Sequence, residues 1–141
     1  MPRPTQVLVA SSDPVNGRSL EVLLADCGLE AVVASSLEEV CTHLAGETIS
    51  LVVCDAQLTD GSFREILQFA ESSRIPVVVA SRLPDTRQYL EAMRLGAFDF
   101  IASPYRRTEL QQIVFNALQQ SVALDRATSG SRPHGGISAA T

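Results

Sequence analysis

The sequence predicts an α/β fold, a doubly wound five-stranded parallel sheet with helices on both faces. Two observations carry that prediction. Five short apolar runs, mostly β-branched or aromatic and without polar alternation, read as strands buried on both faces. Between them lie segments with i, i+3, i+4 apolar spacing and recognisable helix ends, so strand and helix alternate strictly. Parallel neighbours need crossover connections, which that alternation supplies.

Val7-Leu8-Val9-Ala10 is the first strand run, and Leu20, Leu23, Leu24 and Cys27 then line a helical stripe closed by Gly28. Ala31-Val32-Val33-Ala34 is the second run. It is followed by the capping-box signature Ser36-Leu37-Glu38-Glu39, with Val40 and Leu44 preceding Gly46. The third run, Leu51-Val52-Val53-Cys54, leads to a stripe of Phe63, Ile66, Leu67 and Ala70. After Val77-Val78-Val79-Ala80, Pro84-Asp85 opens a fourth helix whose stripe is Leu90, Met93 and Leu95, with Gly96 at its end. Phe98-Asp99-Phe100-Ile101-Ala102 is the fifth run, and Leu110, Ile113, Val114, Ala117, Leu118 and Val122 line the longest helix. The expected domain is 5–124, with the Gly/Ser/Ala-rich residues 125–141 as a disordered tail or linker.

Composition removes several function classes. Eleven basic against 16 acidic residues give a net charge of −5, without the Lys/Arg clustering that direct nucleic-acid binding requires. No run approaches the ~20 apolar residues of a membrane span. The N-terminal segment lacks the signal-peptide layout. Three cysteines at scattered positions (Cys27, Cys41, Cys54) suit reduced thiols better than a disulfide frame or a zinc site. A cytoplasmic domain without membrane or nucleic-acid contact is expected.

In open α/β sheets, ligands bind beyond the carboxyl ends of the strands. The residues there are Ser11, Ser12 and Asp13, then Asp55, then Ser81 and Arg82, then Ser103-Pro104. No Gly-rich phosphate loop follows the first strand, and no triad-like arrangement joins a serine. A small-molecule-binding module would need a phosphate cradle or an aromatic pocket at these strand ends, and the sequence offers neither. Asp55 ends an otherwise apolar strand, where a carboxylate must be hydrogen-bonded or open to water. His43, His134 and Cys54 read as a surface residue, a tail residue and core filling.

The segments Val7–Pro14, Leu51–Asp55 with Leu58-Thr59-Asp60-Gly61, Ile75–Ser81 and Ala92–Tyr105 resemble the receiver domain of bacterial two-component response regulators, a flavodoxin-like (βα)5 fold. The resemblance spans roughly Thr5 to Leu124, and its last two segments are most similar to receivers of enhancer-binding transcription activators. It implies that Asp55 is the position that accepts a phosphoryl group from a histidine kinase, and that Ser81 and Phe100 are the switch pair. It also implies an output and dimer face on the fourth helix, fifth strand and fifth helix. That face would carry Arg87, Glu91, Arg94, Asp99, Arg107 and Glu109, whose mixed charges suit either a salt-bridged homodimer or a solvated surface. A histidine kinase or an effector domain is the implied partner.

The departures from that family bear on chemistry. Ser11 and Ser12 stand where the acidic pair binds Mg²⁺ together with the acceptor aspartate, and Ser103 stands where a lysine precedes the proline. The peptide before Pro104 is expected to remain cis. Asp13 falls one place late and is expected to cap the first helix. Mg²⁺ takes hard anionic oxygens. Two lost charge-assisted contacts of about 1.5–3 kcal/mol each predict at least a hundredfold weaker metal binding, so Mg²⁺ is expected to be weak or absent. Arg82 follows the strand-four serine. It either pairs with Asp55 in place of the missing cations or points to solvent. The expected function is a degenerate, non-enzymatic receiver acting through protein–protein contact. The alternative is a working receiver phosphorylated on Asp55.

Overall fold

The computed structural model describes residues 5–83 and 85–130, excepting the side chains of 121–130. Each apolar run forms a strand: β1 (Gln6–Ala10), β2 (Glu30–Ala34), β3 (Leu51–Asp55), β6 (Val77–Ser81) and β7 (Asp99–Ala102). They pair in parallel in the order β2-β1-β3-β6-β7. A small antiparallel hairpin, β4 (Gln57–Leu58) with β5 (Gly61–Ser62), interrupts the alternation. Its two-residue strands are too short to leave a periodic trace in the sequence.

The helices are α1 (Pro14–Asp26), α2 (Leu37–Gly46), α3 (Phe63–Ser73), α4 (Thr86–Arg94) and α5 (Arg107–Gly130). Successive strand residues point to opposite faces, and the core divides accordingly. Val7, Val9, Val53, Val78 and Ile101 face α1 and α5, meeting Leu20, Leu24, Leu110 and Val114. Leu8, Val52, Cys54 and Val79 face the other way, toward Val40 of α2, Ile66 and Ala70 of α3, and Ala92 of α4. β3, central in the sheet, is buried along its whole length. Gly28 and Gly96 end their helices with φ of +80° and +105°, a conformation that favours glycine over residues bearing a Cβ.

Burial departs from expectation at the margins of the sheet. β2 was expected to be buried on both faces, but it is an edge strand with a single neighbour, and Val33 is 40% exposed. The expected stripe of α4 is only partly turned inward, with Met93 packed against the core. Leu90 and Leu95 are 58% and 44% exposed, and Ala92 is the residue of α4 buried in the core. A small side chain lets the helix approach the sheet, and apolar spacing alone does not say which face turns inward. α4 is held instead by Tyr89 meeting Phe100 edge-to-face at 5.6 Å and by a bidentate Arg64–Glu91 pair at 2.6 and 2.7 Å. α5 continues as helix through Gly130, beyond the expected boundary at 124, and residues 131–141, with His134, lie outside the described residues. No helix among the described residues is long and apolar enough to cross a membrane.

Helix starts follow local hydrogen bonding, with one reassignment. At α2, Ser36 Oγ accepts from Glu39 N–H, but Glu39 turns back to Ser35 N–H at 2.8 Å. Asp60, from the β4–β5 turn, takes the Leu37 and Glu38 amides. These bonds hold the Asp60 carboxyl below its ordinary pKa. The reciprocal capping box lies at α3, where Ser62 caps the helix and Glu65 accepts from Ser62 N–H at 2.8 Å. Loss of such a cap costs about 0.5–2 kcal/mol. Ser62→Ala is therefore expected to lower the unfolding free energy by that amount, read as a lower denaturant midpoint at unchanged slope; an unaltered midpoint would contradict the assignment.

Candidate functional site

The order of the sheet reverses between β1 and β3, because the chain first winds outward to β2 and then crosses back. In open parallel sheets that reversal leaves a crevice at the carboxyl ends of the two strands. Ala10 is in register with Cys54, so Ser11 and Asp55 leave their strands side by side. α1 begins above them, and its first turn places Asn16 over the crevice.

Asp55 is 3% exposed, and both of its carboxylate oxygens are taken by neutral donors. Ser11 Oγ donates to Oδ2 at 2.6 Å, and Asn16 Nδ2 donates to Oδ1. Burial pushes the Asp55 pKa up, while the Ser11 bond, the nearby Arg82 charge and the Asn16 bond oppose that rise. Ser11 also accepts from Asp13 N–H at 3.2 Å, tying the loop to the same centre. Sequence reasoning missed Asn16, although a signal was present. Asn16, Leu20 and Leu24 are spaced four apart on one inward stripe, and a polar residue there needs a buried partner.

The other serine of the pair serves a different purpose. Ser12 Oγ donates to the Ser35 carbonyl at 2.7 Å and accepts from Thr59 N–H at 3.0 Å, fastening three loops together away from Asp55. Asp13 caps α1 as expected, accepting from Val15 and Asn16 N–H, and those amides hold its pKa down. Of the two readings of Arg82, a pair with Asp55 or a side chain free in solvent, neither describes its bonding. Arg82 Nη1 instead binds Asp13 Oδ2, while both oxygens of the buried Asp55 are already taken by Ser11 and Asn16.

Ser81, 2% exposed, shares with Asp55, Arg82 and Gln88 a cleft of about 470 Å³. Ser103 does not join them. It is exposed and lines a neighbouring cleft of about 950 Å³, between the start of α1 and the turn at Pro104 and Tyr105. Arg82 forms part of both walls. The Ser103–Pro104 peptide is cis, as expected. Phe100 lies on β7, half-buried against Tyr89, and does not line the cleft at Asp55. The Tyr105 hydroxyl faces Asn16 without reaching hydrogen-bond geometry, and it has no partner. All 11 basic residues of the chain are arginine, so no lysine of this chain stands in for the one absent at Ser103. His43 is bound to Glu47 at 2.6 Å, and the fully buried Cys54 is packed in the core with its pKa pushed up by desolvation. The described residues contain no group of three or more His, Cys, Asp or Glu arranged to hold a metal ion.

Asn16→Ala would leave Asp55 Oδ1 buried without its donor. A hydrogen bond to a charged group contributes about 1.5–3 kcal/mol, and a loss of that size is expected at pH values where Asp55 is ionised. The deficit should be full while Asp55 is ionised and shrink as pH falls through its folded pKa. Asp55 itself has the opposite linkage. Its folded pKa is raised, so its contribution is fully present below the ordinary value of 3.8 and is lost as pH rises through the folded value. Denaturation of both proteins across that range measures the two effects; a deficit independent of pH would contradict the assignment.

The sequence profile described as the response regulator receiver domain matches residues 7–115. The response regulator protein PilR of Pseudomonas aeruginosa is 27% identical over 116 residues, which cover 81% of this chain and 26% of PilR. The probable transcriptional regulator ycf27 of Porphyridium aerugineum is 27% identical over 135 residues, covering 94% of this chain and 55% of that protein. The chain thus spans between a quarter and about half of these relatives. A response regulator receiver domain protein from Clostridium thermocellum has the same fold, with a TM-score of 0.77 at 22% identity over 85% of this chain and 98% of that one. With a profile match across most of its length, the chain belongs to the response regulator receiver domain family.

Proposed function

We propose that this receiver domain signals by protein–protein contact, without Mg²⁺-dependent phosphoryl transfer to Asp55. Receiver domains of the family serve two-component signalling. The observation that carries the narrower reading is the hold on Asp55, with one neutral donor on each carboxylate oxygen. The Mg²⁺ implied by the family does not suit these donors, since hard octahedral cations take anionic oxygens. Ser11 directs its proton at Asp55, Ser12 bridges Ser35 and Thr59, and Asp13 faces helix amides and Arg82. Phosphoryl transfer depends almost wholly on positioning and charge compensation. With serine at the lysine position, that compensation is missing as well.

The partner is a histidine kinase, an effector domain or a second copy, and α4, β7 and α5 are the face offered to it. Tyr89, Leu90, Leu95 and Phe115 are exposed large apolar residues on these elements or beside them. The expected charge pattern is partly spent within the chain, with Glu91 on Arg64 and Arg107 on Asp26 at 3.7 Å. Arg87, Arg94 and Glu109 are exposed. An apolar contact rimmed by charge fits this face better than a symmetric salt-bridged dimer.

Incubation with acetyl phosphate, with and without Mg²⁺, followed by intact-mass measurement, tests the reading, with Asp55→Asn as the control. No phosphoryl adduct is expected at any Mg²⁺ concentration. An adduct abolished by Asp55→Asn would overturn the proposal and make the protein a phosphorylation switch.

A further inference from the structure

Arg82 stands between two clefts and is bound in only one of them. It lines both the cleft of about 950 Å³ beside α1, which it shares with Asp13, and the cleft of about 470 Å³ at Asp55, which it shares with Gln88. Among the described residues it makes a single hydrogen bond, from Nη1 to Asp13 Oδ2, which leaves the rest of a five-donor fork unused. Gln88 lies in the first turn of α4, and its Oε1 is buried without a partner. A buried acceptor left unmet costs more than an ordinary hydrogen bond yields. An unused donor and an unmet acceptor thus line the same cleft.

The bond that holds Arg82 on the other side is weakly protected. Its two side chains are 52% and 31% exposed, and ion pairs open to water contribute little. The next residue, Leu83, is 87% exposed, so little packing fixes the segment between β6 and α4. We propose that Arg82 is a two-position latch. On Asp13 it ties that segment to the start of α1; released from Asp13, it turns to Gln88 Oε1 and fastens the start of α4 instead. The change leaves the cap of α1 in place, because Asp13 caps with Oδ1 while Arg82 takes Oδ2. α4 is one element of the face offered to a partner, so the latch links that face to α1. The inference goes beyond the reading of Asp55 and needs neither its phosphorylation nor a bound cation.

Asp13→Asn tests the latch, since asparagine keeps the capping oxygen and removes the charge that holds Arg82. In nuclear magnetic resonance spectra of the full chain, this change is expected to move the Gln88 side-chain carboxamide signals. About 1 M NaCl should move them the same way in the unaltered protein, because salt screens a half-exposed pair. Unfolding equilibria supply the second measurement. Arg82→Met and Gln88→Met should act additively in the unaltered background, and should couple by roughly 3- to 10-fold in the Asp13→Asn background, the range of one net hydrogen bond. A purely structural Arg82–Asp13 pair would lower stability without creating that coupling. Gln88 signals unmoved by both Asp13→Asn and salt would overturn the proposal. So would an Arg82–Gln88 coupling that is absent with Asp13→Asn, or already present at full size without it. The acetyl phosphate result does not enter this test, so the two readings fail separately.

Discussion

A carboxylate at the end of a fully buried strand must be satisfied where it stands, and at Asp55 a hydroxyl and a carboxamide do so. Ser11 reaches it from the loop after β1 and Asn16 from the first turn of α1, so one side chain joins three elements of the fold. Leaving such a group unpaired costs more than the pairing yields. The position of α1 over the sheet therefore depends on this contact as well as on Leu20 and Leu24. On the reading proposed above, that carboxylate serves to hold the structure together instead of accepting a phosphoryl group.

The charges around it follow from that commitment. Asp13 completes the start of α1 and at the same time binds Arg82, which joins the helix to the loop after β6. The guanidinium thereby lies on the walls of both clefts at the sheet's carboxyl edge without a direct bond to Asp55. On the opposite side, α4 buries Ala92 and depends on the Arg64–Glu91 pair and the Tyr89–Phe100 contact to stay in place. Exposed ion pairs contribute little individually. α4 is thus lightly fastened, and its Leu90 and Tyr89 are exposed.

Much of this was legible in the sequence, and the failures have physical causes. The apolar runs revealed every strand of the main sheet, since strands covered on both faces leave unbroken hydrophobic segments. They did not reveal which strands lie at the edge, because β2 is as apolar as its inner neighbours. The stripe of α4 was right at Met93 and wrong at Leu90 and Leu95, because the fully buried residue, Ala92, is small, while larger apolar residues face outward. At the site, the positions of Ser11, Asp55 and Ser81 followed from strand ends. The partner of Arg82 did not, because Asp13 and Asp55 are both within reach of that loop and burial decides between them. Asn16 was missed because it lies one turn into a helix, where reading only the strand ends does not look.

The central claim is that Asp55 is held by Ser11 and Asn16 and binds no Mg²⁺. A high-resolution crystal structure grown in excess Mg²⁺ tests it most directly. The account predicts Ser11 Oγ and Asn16 Nδ2 still on the two Asp55 oxygens and Arg82 still on Asp13, with no metal density between the carboxylates. A Mg²⁺ ion bridging Asp55 and Asp13, with Asn16 turned away, would contradict it.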